Sequence, residues 1–390
     1  MAGREEIGEE AIARARAAGA GLVRRTPVLT SRTLSERCGG EIVLKAENLQ
    51  RTGSFKLRGA LAKLAALGEE CAAGVVAGSA GNHAQSVAYA ARARGVRCEV
   101  FMPADASIAK TESAAALGAQ VTVVDGNVDD CVAAAMQRAD EAGLAFVHPF
   151  DDPDVVAGQA TLGLELVEDV PDLARIVVPV GGGGLAAGVA LAVKSALPTV
   201  EVIGVEVEDR ALTIADGIAV KRPGKLTGPL LERWLDGMET VSEDGVAAAM
   251  VTLMERAKLV VEGAGAVGLA ALLAGGVAAA PQGTTVVVLS GGNVDAGLLA
   301  AVARRHETES GRRLVLLTRI SDRPGGLAAL LAGVAQTGAN LVEVSHVREG
   351  VDLHVRETAV ELVLETRGPE HGEEIQRALT AAGYGLSAVT

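Results

Sequence analysis

Lys56 is the first residue whose type and position indicate chemistry. It lies in the segment Thr52–Gly59, at the start of a predicted helix that runs to Leu67. At that end of a helix, the dipole and desolvation both favour a neutral amine, which is the form that attacks an aldehyde. Most lysines are solvated surface groups, so the motif by itself leaves both a nucleophilic role and a surface role open.

Four consecutive glycines, Gly181–Gly184, lie between a predicted apolar strand and a predicted helix. Such a loop lets backbone N–H groups converge on an anion at a helix N-terminus, so phosphate binding is the favoured interpretation. The spacing from Gly181 to Ala186, with Glu206 further along the chain, also fits a loose dinucleotide-binding fingerprint. A tight turn that requires glycine is the third interpretation, and the loop alone leaves all three open.

Two further polar loops also follow predicted strands. The loop Gly78–Ala84 offers N–H donors to a carboxylate and the Asn82 amide to a ring substituent, while Ser290–Asn293 offers a neutral hydroxyl to a heterocycle nitrogen. The residues around Ser79 do not fit the G-x-S-x-G pattern of hydrolases. Each loop also has a plain structural interpretation: a helix cap at Ser79 or Asn82, a packed histidine at His83, and a glycine turn after Ser290.

The elements that must position these loops alternate between short β-branched strands and Ala-rich helices. The run Val75–Ala77 precedes a helix at Asn82–Arg94, and Ile176–Val180 precedes a helix at Leu185–Ala196. This alternation predicts an α/β fold with parallel sheets. Parallel sheets bind ligands at the carboxyl ends of their strands, where these polar loops lie.

From about Gly311 the pattern changes to βαββαβ. The predicted elements are Leu314–Ile320, Gly326–Thr337, Asn340–Arg348, Glu357–Thr366, Glu370–Ala382 and Tyr384–Val389. The polar stretch Arg304–Arg313 is the predicted linker. We therefore expect a domain at 1–310, with a smaller subdomain at roughly 45–150 inside it, and a second domain at 311–390.

Composition excludes several classes of protein. The net charge of −13 and the 2% of aromatic residues argue against a nucleic-acid partner. Four cysteines without CxxC spacing are typical of a reducing compartment. The uncharged stretches 176–193 and 263–294 are interrupted by glycine and proline, so we expect no membrane span. The charged first residues do not resemble a secretory signal, and we expect a cytoplasmic location.

Together, the motifs resemble the threonine dehydratase (threonine ammonia-lyase) and serine racemase group of pyridoxal-phosphate enzymes. The matching segments run in order between about Glu5 and Arg305: Glu47–Ala60, Ser79–Gln85, His148–Asp151, Thr213–Lys221 and Ser290–Asn293. This resemblance implies fold type II, in which two open parallel-sheet subdomains are arranged as in tryptophan synthase β. The tail, through Asp322–Leu327 and Gly338–Asn340, resembles an ACT regulatory domain.

The resemblance also implies roles for individual residues. Lys56 would hold pyridoxal phosphate as a Schiff base and act as the catalytic base, Asn82 would bond the ring hydroxyl, Ser290 would face the ring nitrogen, and Glu262 would lie near the cofactor edge. The implied cofactor-binding residues are Phe55, Lys56, Asn82, Gly181, Gly182, Gly183, Gly184, Leu185 and Ser290. The implied substrate-binding residues are Ser79, Ala80, Gly81, Asn82 and His83. The implied effector-binding residues are Asp322, Gly325, Gly326, Leu327 and Asn340.

The activity implied is dehydration of L-threonine, and also of L-serine, to a 2-oxo acid and ammonia. Isoleucine or valine would be the effectors, and a homodimer or homotetramer the assembly. A serine or threonine racemase of the same group is the neighbouring alternative, but related racemases carry a serine where this chain has Ala80. An amino-acid sensor on an inactive scaffold and a nicotinamide dehydrogenase are the alternatives from other classes.

Two departures from the family pattern are visible. Ser86 stands where the family has glycine, and the segment from Glu206 to Thr213 is shorter than usual. The longer segment carries metal-binding carboxylates in metal-dependent relatives. We therefore expect no dedicated divalent-cation site, with Glu206 and Asp209 left as ligands of at most a weak one.

Overall fold

The computed structural model of the chain describes residues 7–211, 213–347 and 354–388. The chain divides into two compact units, residues 1–295 and 296–390. The sequence placed this boundary after residue 310. The difference concerns the helix Ala296–Glu309, which contacts the strand Arg313–Ser321 of the second unit and buries Val302. The last predicted residues of two strands, Arg348 and Val389, lie outside the described residues.

The first unit is an α/β structure. Its helices are α1 (Glu9–Gly19), α2 (Arg32–Cys38), α3 (Lys56–Leu67), α4 (Asn82–Arg94), α5 (Ile108–Ala116), α6 (Val128–Ala142), α7 (Pro153–Asp169), α8 (Gly184–Ala196), α9 (Thr227–Trp234), α10 (Glu243–Thr252) and α11 (Gly263–Leu273). Its strands are β1 (Val28–Thr30), β2 (Ile42–Ala46), β3 (Val75–Gly78), β4 (Cys98–Pro103), β5 (Gln120–Val124), β6 (Ala145–Phe146), β7 (Leu173–Pro179), β8 (Glu201–Val207), β9 (Gly237–Val241) and β10 (Thr284–Leu289).

The larger sheet has the strand order β1-β2-β10-β7-β8-β9 and is parallel except at β1. Every residue of β2 and β10 is buried, as expected for parallel strands covered on both faces. Because β10 and β7 are neighbours, the loops at their carboxyl ends lie side by side. These loops are the ones that contain Ser290 and Gly181–Gly184.

The smaller sheet has the order β5-β4-β3-β6 and is entirely parallel. The polar loop that contains Asn82 follows β3. The predicted subdomain start near residue 45 falls within β2, which pairs with β10 in the larger sheet. The smaller sheet itself spans residues 75 to 146.

A buried ion-pair cluster anchors α3, the helix that begins at Lys56. The Arg58 guanidinium donates to the carboxylates of Glu47 and Glu165, with its shortest bond at 2.7 Å, and Lys45 donates to Glu165 at 2.6 Å. Lys45, Arg58 and Glu47 are almost fully buried, so each charge is balanced by a partner rather than by water. The start of α3 is therefore tied to both β2 and α7.

The second unit contains α12 (Ala296–Glu309), α13 (Gly326–Gln336) and α14 (Pro369–Ala381), with β11 (Arg313–Ser321), β12 (Asn340–Val347), β13 (Glu357–Glu365) and β14 (Leu386–Ala388). Its sheet is antiparallel, with the order β12-β13-β11-β14. After α12 the elements follow the predicted βαββαβ sequence. Leu316, Leu330, Val360 and Ile375 form part of a separate core in this unit.

Among the described residues, no helix is both long enough and apolar enough to cross a membrane. The apolar stretches at 176–193 and 263–294 each contain a strand and a helix, joined by a loop that contains glycine.

Candidate active site

A cavity of about 780 Å³ opens at the carboxyl ends of the two sheets of the first unit. It brings together every residue that the resemblance assigned to cofactor or substrate binding: Phe55, Lys56, Ser79, Ala80, Gly81, Asn82, His83, Gly181, Gly182, Gly183, Gly184, Leu185 and Ser290. These residues come from four loops far apart in the chain. Their convergence around one cavity favours the functional interpretation of each motif over a set of unrelated turns.

Lys56 is the first residue of α3 and lines the cavity. Its Nζ atom donates to the Pro149 carbonyl oxygen at 2.7 Å and lies 5.3 Å from the centre of the Phe55 ring. Desolvation lowers the pKa of Lys56 to about 8, although the nearby Glu262 acts in the opposite direction. The neutral amine is thus populated near neutral pH, as a nucleophile or proton acceptor requires.

The glycine loop between β7 and α8 is shaped by close approaches. A Cβ atom on Gly182 would lie 2.3 Å from the Phe150 ring, and Gly183 has φ +91°, a conformation that favours glycine. Because α8 begins at Gly184, the N–H groups of its first turn have no acceptor within the helix. The loop therefore presents backbone donors at a positive helix end, which suits an anion such as phosphate.

Asn82 is the first residue of α4, but it does not cap that helix; the N-cap is Gly81, without a side-chain bond. The Asn82 amide instead donates to Glu262 Oε1 at 2.7 Å and accepts from Asn293 Nδ2 at 2.7 Å. Ser79 Oγ accepts from the Gly81 N–H at 3.2 Å, within the loop. Neither the Ser79 nor the Asn82 side chain therefore caps α4.

His83 lines the cavity, yet it is 3% exposed and its Nε2 atom lies 2.8 Å from the Val147 carbonyl oxygen. The carbonyl only accepts, so Nε2 carries the proton. Desolvation and the charge of Lys56 lower the pKa of His83 to about 3, which keeps the imidazole neutral. His83 is therefore a packed, neutral histidine, and its ring offers no positive charge to bind a substrate.

The segment after β10 is hydrogen-bonded to the segment before α3. The Phe55 N–H donates to the Ser290 carbonyl at 3.0 Å, Ser54 and Gly291 form an isolated antiparallel bridge, and the Gly292 N–H donates to Gly53 at 2.9 Å. Ser290 is 3% exposed. These bonds hold the lysine and the serine hydroxyl in one rigid piece of the site.

Several site residues were missed by the sequence reasoning. The motif His148–Asp151 contributes to the family resemblance as a whole, but its residues have separate roles in the structure. Pro149 accepts from Lys56, Phe150 packs against the glycine loop, and Asp151 accepts from the backbone N–H groups of Lys225, Leu226 and Thr227 at 2.9 to 3.1 Å. No residue-type or spacing rule distinguishes these tasks before the fold is known.

Two polar contacts join residues that line the cavity. Lys110 Nζ lies 2.7 Å from Asp216 Oδ2, and Ser107 Oγ donates to Asp295 Oδ1 at 2.9 Å. Lys110 and Ser107 belong to the smaller subdomain, whereas the two aspartates follow strands of the larger sheet. Both contacts therefore join the subdomains beside the site, and no local sequence pattern indicates them.

The short segment after β8 carries an internal ion pair. The Arg210 guanidinium donates to Glu206 and also to the carbonyl oxygens of Val220 and Lys221 at 2.8 and 3.0 Å. Among the described residues, no group of three or more His, Cys, Asp or Glu side chains could hold a metal ion. Arg210 thus already balances the charge of Glu206, one of the two carboxylates that we expected to bind a divalent cation at most weakly.

The predicted effector residues all lie in the second unit. Asp322 and Gly325 lie in the loop between β11 and α13, Gly326 and Leu327 are the first residues of α13, and Asn340 begins β12. The register pairs Asn340 and Arg313 with the same residue, Glu365, at one end of the sheet, and pairs Ser321 with Glu357 at the other. The structure therefore does not bring Asn340 and the loop together within one chain.

Comparison with known proteins accounts for this arrangement. Residues 20–291 match the model of a family described as pyridoxal-phosphate dependent enzymes. The chain belongs to this family. It is 46% identical over 383 residues to the L-threonine ammonia-lyase of Thermotoga maritima, covering 93% of this chain and 94% of that protein.

Solved structures agree with the family and the fold. The T.th. threonine deaminase is 41% identical with a TM-score of 0.69, covering 74% of this chain and 99% of that one. Maize serine racemase is 33% identical with a TM-score of 0.71, covering 77% of this chain and 98% of that one. The two parallel sheets of the first unit are those of fold type II.

The residues around the cavity fit the cofactor of the family. The glycine loop packs against Phe150 too closely for a Cβ atom and presents backbone N–H donors for a phosphate, and Lys56 offers an amine with a lowered pKa. Ser290 offers a neutral hydroxyl and Asn82 an amide. This donor set combines an aldehyde-reactive amine, an anion cradle and two neutral ring partners, which is what pyridoxal phosphate requires of a protein.

Proposed function

We propose that this protein is an L-threonine ammonia-lyase that also accepts L-serine. The single observation that carries the proposal is the convergence of Lys56, Asn82, Gly181–Gly184 and Ser290 around one cavity. The 46% identity to the Thermotoga maritima L-threonine ammonia-lyase over nearly the whole chain supports the same substrate class. In this proposal Lys56 and the residues of the glycine loop bind the cofactor, and Ser79–Asn82 bind the substrate carboxylate.

Lys56 is the proton carrier of the proposed reaction. Near its lowered pKa the neutral amine of Lys56 accepts the proton from the substrate Cα, and the resulting ammonium donates it to the departing β-hydroxyl. Bound pyridoxal phosphate supplies the electron sink for the charge left at Cα. Loss of water from threonine leaves an enamine, which is hydrolysed to 2-oxobutanoate and ammonia, so the atoms balance.

Ser290 decides how strongly the ring nitrogen is polarised. Its hydroxyl is neutral and buried, and it lies directly after β10. A hydroxyl leaves a pyridine nitrogen essentially unprotonated, whereas a carboxylate would favour the protonated form. The weaker electron sink suits prompt loss of a β-substituent more than transamination.

The loop Ser79–Asn82 orients the substrate. It leads into the N-terminus of α4, where backbone N–H groups and the helix dipole favour a carboxylate. Ala80 lines the cavity here and has no acid or base. Racemisation needs a second proton carrier on the opposite face of the substrate, so Ala80 favours elimination over the racemase alternative suggested by the maize serine racemase fold.

The proposal is tested by reconstituting the protein with pyridoxal phosphate and measuring its products. We expect a visible absorption band from the bound cofactor and 2-oxobutanoate from L-threonine, with pyruvate from L-serine. Chiral analysis of the remaining substrate separates elimination from racemisation. A cofactor-loaded protein that forms D-serine or D-threonine without 2-oxo acid would overturn the proposal in favour of a racemase.

We further propose that the second unit is an ACT domain through which isoleucine or valine controls the enzyme. Its βαββαβ order and the segment Asp322–Leu327, which runs into the first turn of α13, support this, since that helix N-terminus offers donors to an amino-acid carboxylate. Because one chain separates Asn340 from this loop, an effector site that contains both requires two copies. The exposed edge strand β12, with Val342 62% exposed, suits such pairing in a homodimer or homotetramer.

The regulatory proposal is tested on the full chain. Threonine saturation curves are measured with and without isoleucine or valine, for the parent and for Asn340→Ala. A coupling free energy of about 1–3 kcal/mol would change threonine affinity roughly 5- to 150-fold. We expect Asn340→Ala to weaken that response. A parent that responds to neither amino acid would limit the second unit to a role in assembly.

A further inference from the structure

We propose that Asn293 and Glu262 are positioning residues that fix which end of the Asn82 amide faces the cofactor. This inference rests on the proposed function, in which the Asn82 side chain binds the ring hydroxyl of pyridoxal phosphate. It gives specific roles to two residues, one in the loop after β10 and one directly before α11. Both line the same cavity as Asn82.

The orientation of the Asn293 amide is set by a carbonyl group. Asn293 Nδ2 lies 2.8 Å from the Thr52 main-chain oxygen, which can only accept a hydrogen bond. The atom that faces Thr52 must therefore be the NH2 group of Asn293. The Thr52 carbonyl therefore determines the orientation of the Asn293 amide.

The orientation of Asn82 follows from that of Asn293. The same Asn293 Nδ2 lies 2.7 Å from Asn82 Oδ1 and donates its second hydrogen there. The other end of the Asn82 amide is then its NH2 group, which lies 2.7 Å from Glu262 Oε1. If Asn82 were flipped, its carbonyl would face the Glu262 carboxyl and its NH2 group would face the NH2 group of Asn293.

The Asn82 NH2 group has two hydrogens, and Glu262 accepts only one of them. The second is the donor that a ring oxygen needs. Burial and the charge of Asp216 raise the pKa of Glu262 to about 7, while the bond from Asn82 lowers it. In either protonation state the Glu262 carboxyl keeps an oxygen that accepts from Asn82, so the orientation does not depend on this titration.

The hydrogen-bonded chain Glu262–Asn82–Asn293 is held in place at both ends. Glu262 is 5% exposed, and its backbone N–H donates to the Gly291 carbonyl at 3.1 Å. Asn293 follows the Ser290–Gly292 segment, which is hydrogen-bonded to Gly53–Phe55 directly before Lys56. The orientation of Asn82 is thus coupled to the same piece of structure that places the reactive lysine.

Three variants separate orientation from charge. Glu262→Gln keeps a carbonyl oxygen that accepts from Asn82 and removes the charge, whereas Glu262→Ala removes the acceptor. Asn293→Asp replaces the donor with carboxylate oxygens, which repel both the Thr52 carbonyl and Asn82 Oδ1. The exposed Glu112→Gln serves as the matched control for the loss of a carboxylate.

The readouts are the position of the visible absorption band of the bound cofactor and the dissociation constant for pyridoxal phosphate. We expect Glu262→Ala and Asn293→Asp to displace the band and to weaken cofactor binding about ten- to a hundredfold, the effect of losing a hydrogen bond to a charged group. Glu262→Gln should stay within about threefold of the parent and keep the parent band. Catalytic rate is not the readout, because Glu262→Gln also changes the charge near Lys56.

The outcomes distinguish this inference from the proposed function. Thermal melting of the apo forms shows which variants fold. If Glu262→Ala does not fold, Asn293→Asp alone tests the inference. Suppose that the parent deaminates threonine and that the folded variants have the same absorption band and cofactor affinity as the parent. This result would overturn the inference and leave the proposed function intact. A parent that shows no visible band with pyridoxal phosphate would overturn the proposed function itself.

Discussion

The Nζ atom of Lys56 donates a 2.7 Å hydrogen bond to the main-chain oxygen of Pro149. Since a carbonyl oxygen accepts from an amine as well as from an ammonium, the bond holds Lys56 in place in both protonation states. The next residue, Phe150, packs against Gly182 and Gly184 of the glycine loop. The lysine and the loop proposed to bind the phosphate therefore share one support, the segment His148–Asp151.

Lys56→Ala should abolish turnover, because the proposed cofactor link and the proposed proton carrier are the same group. We expect a loss of about a thousandfold or more, within the range of a missing general base. Alanine is a good helix former, so α3 should remain. The control is Lys225→Ala, whose side chain is exposed and distant from Lys56 in the chain. Threonine deamination within tenfold of the parent would contradict the assignment.

Capture of pyridoxal phosphate by the apoenzyme should depend on pH through Lys56. Its pKa is lowered to about 8, so the reactive neutral amine is depleted below that pH and saturates above it. The capture rate should fall about tenfold for each pH unit below 8 and level off above it. Stopped-flow absorbance measures this, with N-acetyl-lysine as the reference amine. A rate that still climbs steeply between pH 9 and pH 10 would indicate an ordinary lysine.

Ser290→Asp should slow dehydration by about tenfold or more. A carboxylate at this buried position would favour a protonated ring nitrogen and a stronger electron sink, which prolongs the carbanion and permits side reactions. Ser290→Ala removes the hydroxyl without adding charge and separates the two effects. Initial rates of 2-oxobutanoate formation measure the change. An unaltered rate in Ser290→Asp would mean that Ser290 does not face the ring.

Local patterns predicted the elements that carry the site. The helices begin at Lys56 and Asn82, as expected, because strand-loop-helix transitions are marked by glycine and by a change in periodicity. The parallel sheets were predicted from the alternation of strands and helices. Since ligands bind at the carboxyl ends of such strands, convergence of the loops was predicted as well.

Contacts between distant segments were not predictable in the same way. Asn82, Glu262 and Asn293 are joined by bonds that span more than 100 positions in the chain, and no local rule pairs them. The same holds for Lys110 with Asp216. The position of the unit boundary was also beyond local patterns, because it depends on where α12 packs and not on the polarity of the residues after it.

Gly182→Ala should weaken cofactor binding and lower stability. Its Cβ atom would lie 2.3 Å from the Phe150 ring, so either the loop or the ring must move. Overpacking of this kind costs about 1–3 kcal/mol. Gly297→Ala is the control, since an added Cβ there meets no atom within 4 Å and the position is helical. Thermal melting and cofactor titration should change only for Gly182→Ala; a parent-like affinity would argue against a phosphate in this loop.

Ala80→Ser should add racemisation of serine to the elimination reaction. Ala80 lines the cavity in the loop that leads into α4, and it contributes no proton donor or acceptor there. A serine hydroxyl would place such a group across the substrate from Lys56, so a proton removed by the lysine can be replaced from the opposite face. Because the same carbanion then partitions between two fates, the yield of pyruvate per serine consumed should fall.

Two control variants isolate the effect of the hydroxyl: Ala80→Cys, which adds a thiol of similar size, and Ala80→Gly, which has no side chain. Chiral chromatography of the remaining serine measures the outcome, and absence of D-serine from a cofactor-loaded Ala80→Ser variant would place residue 80 away from the substrate Cα.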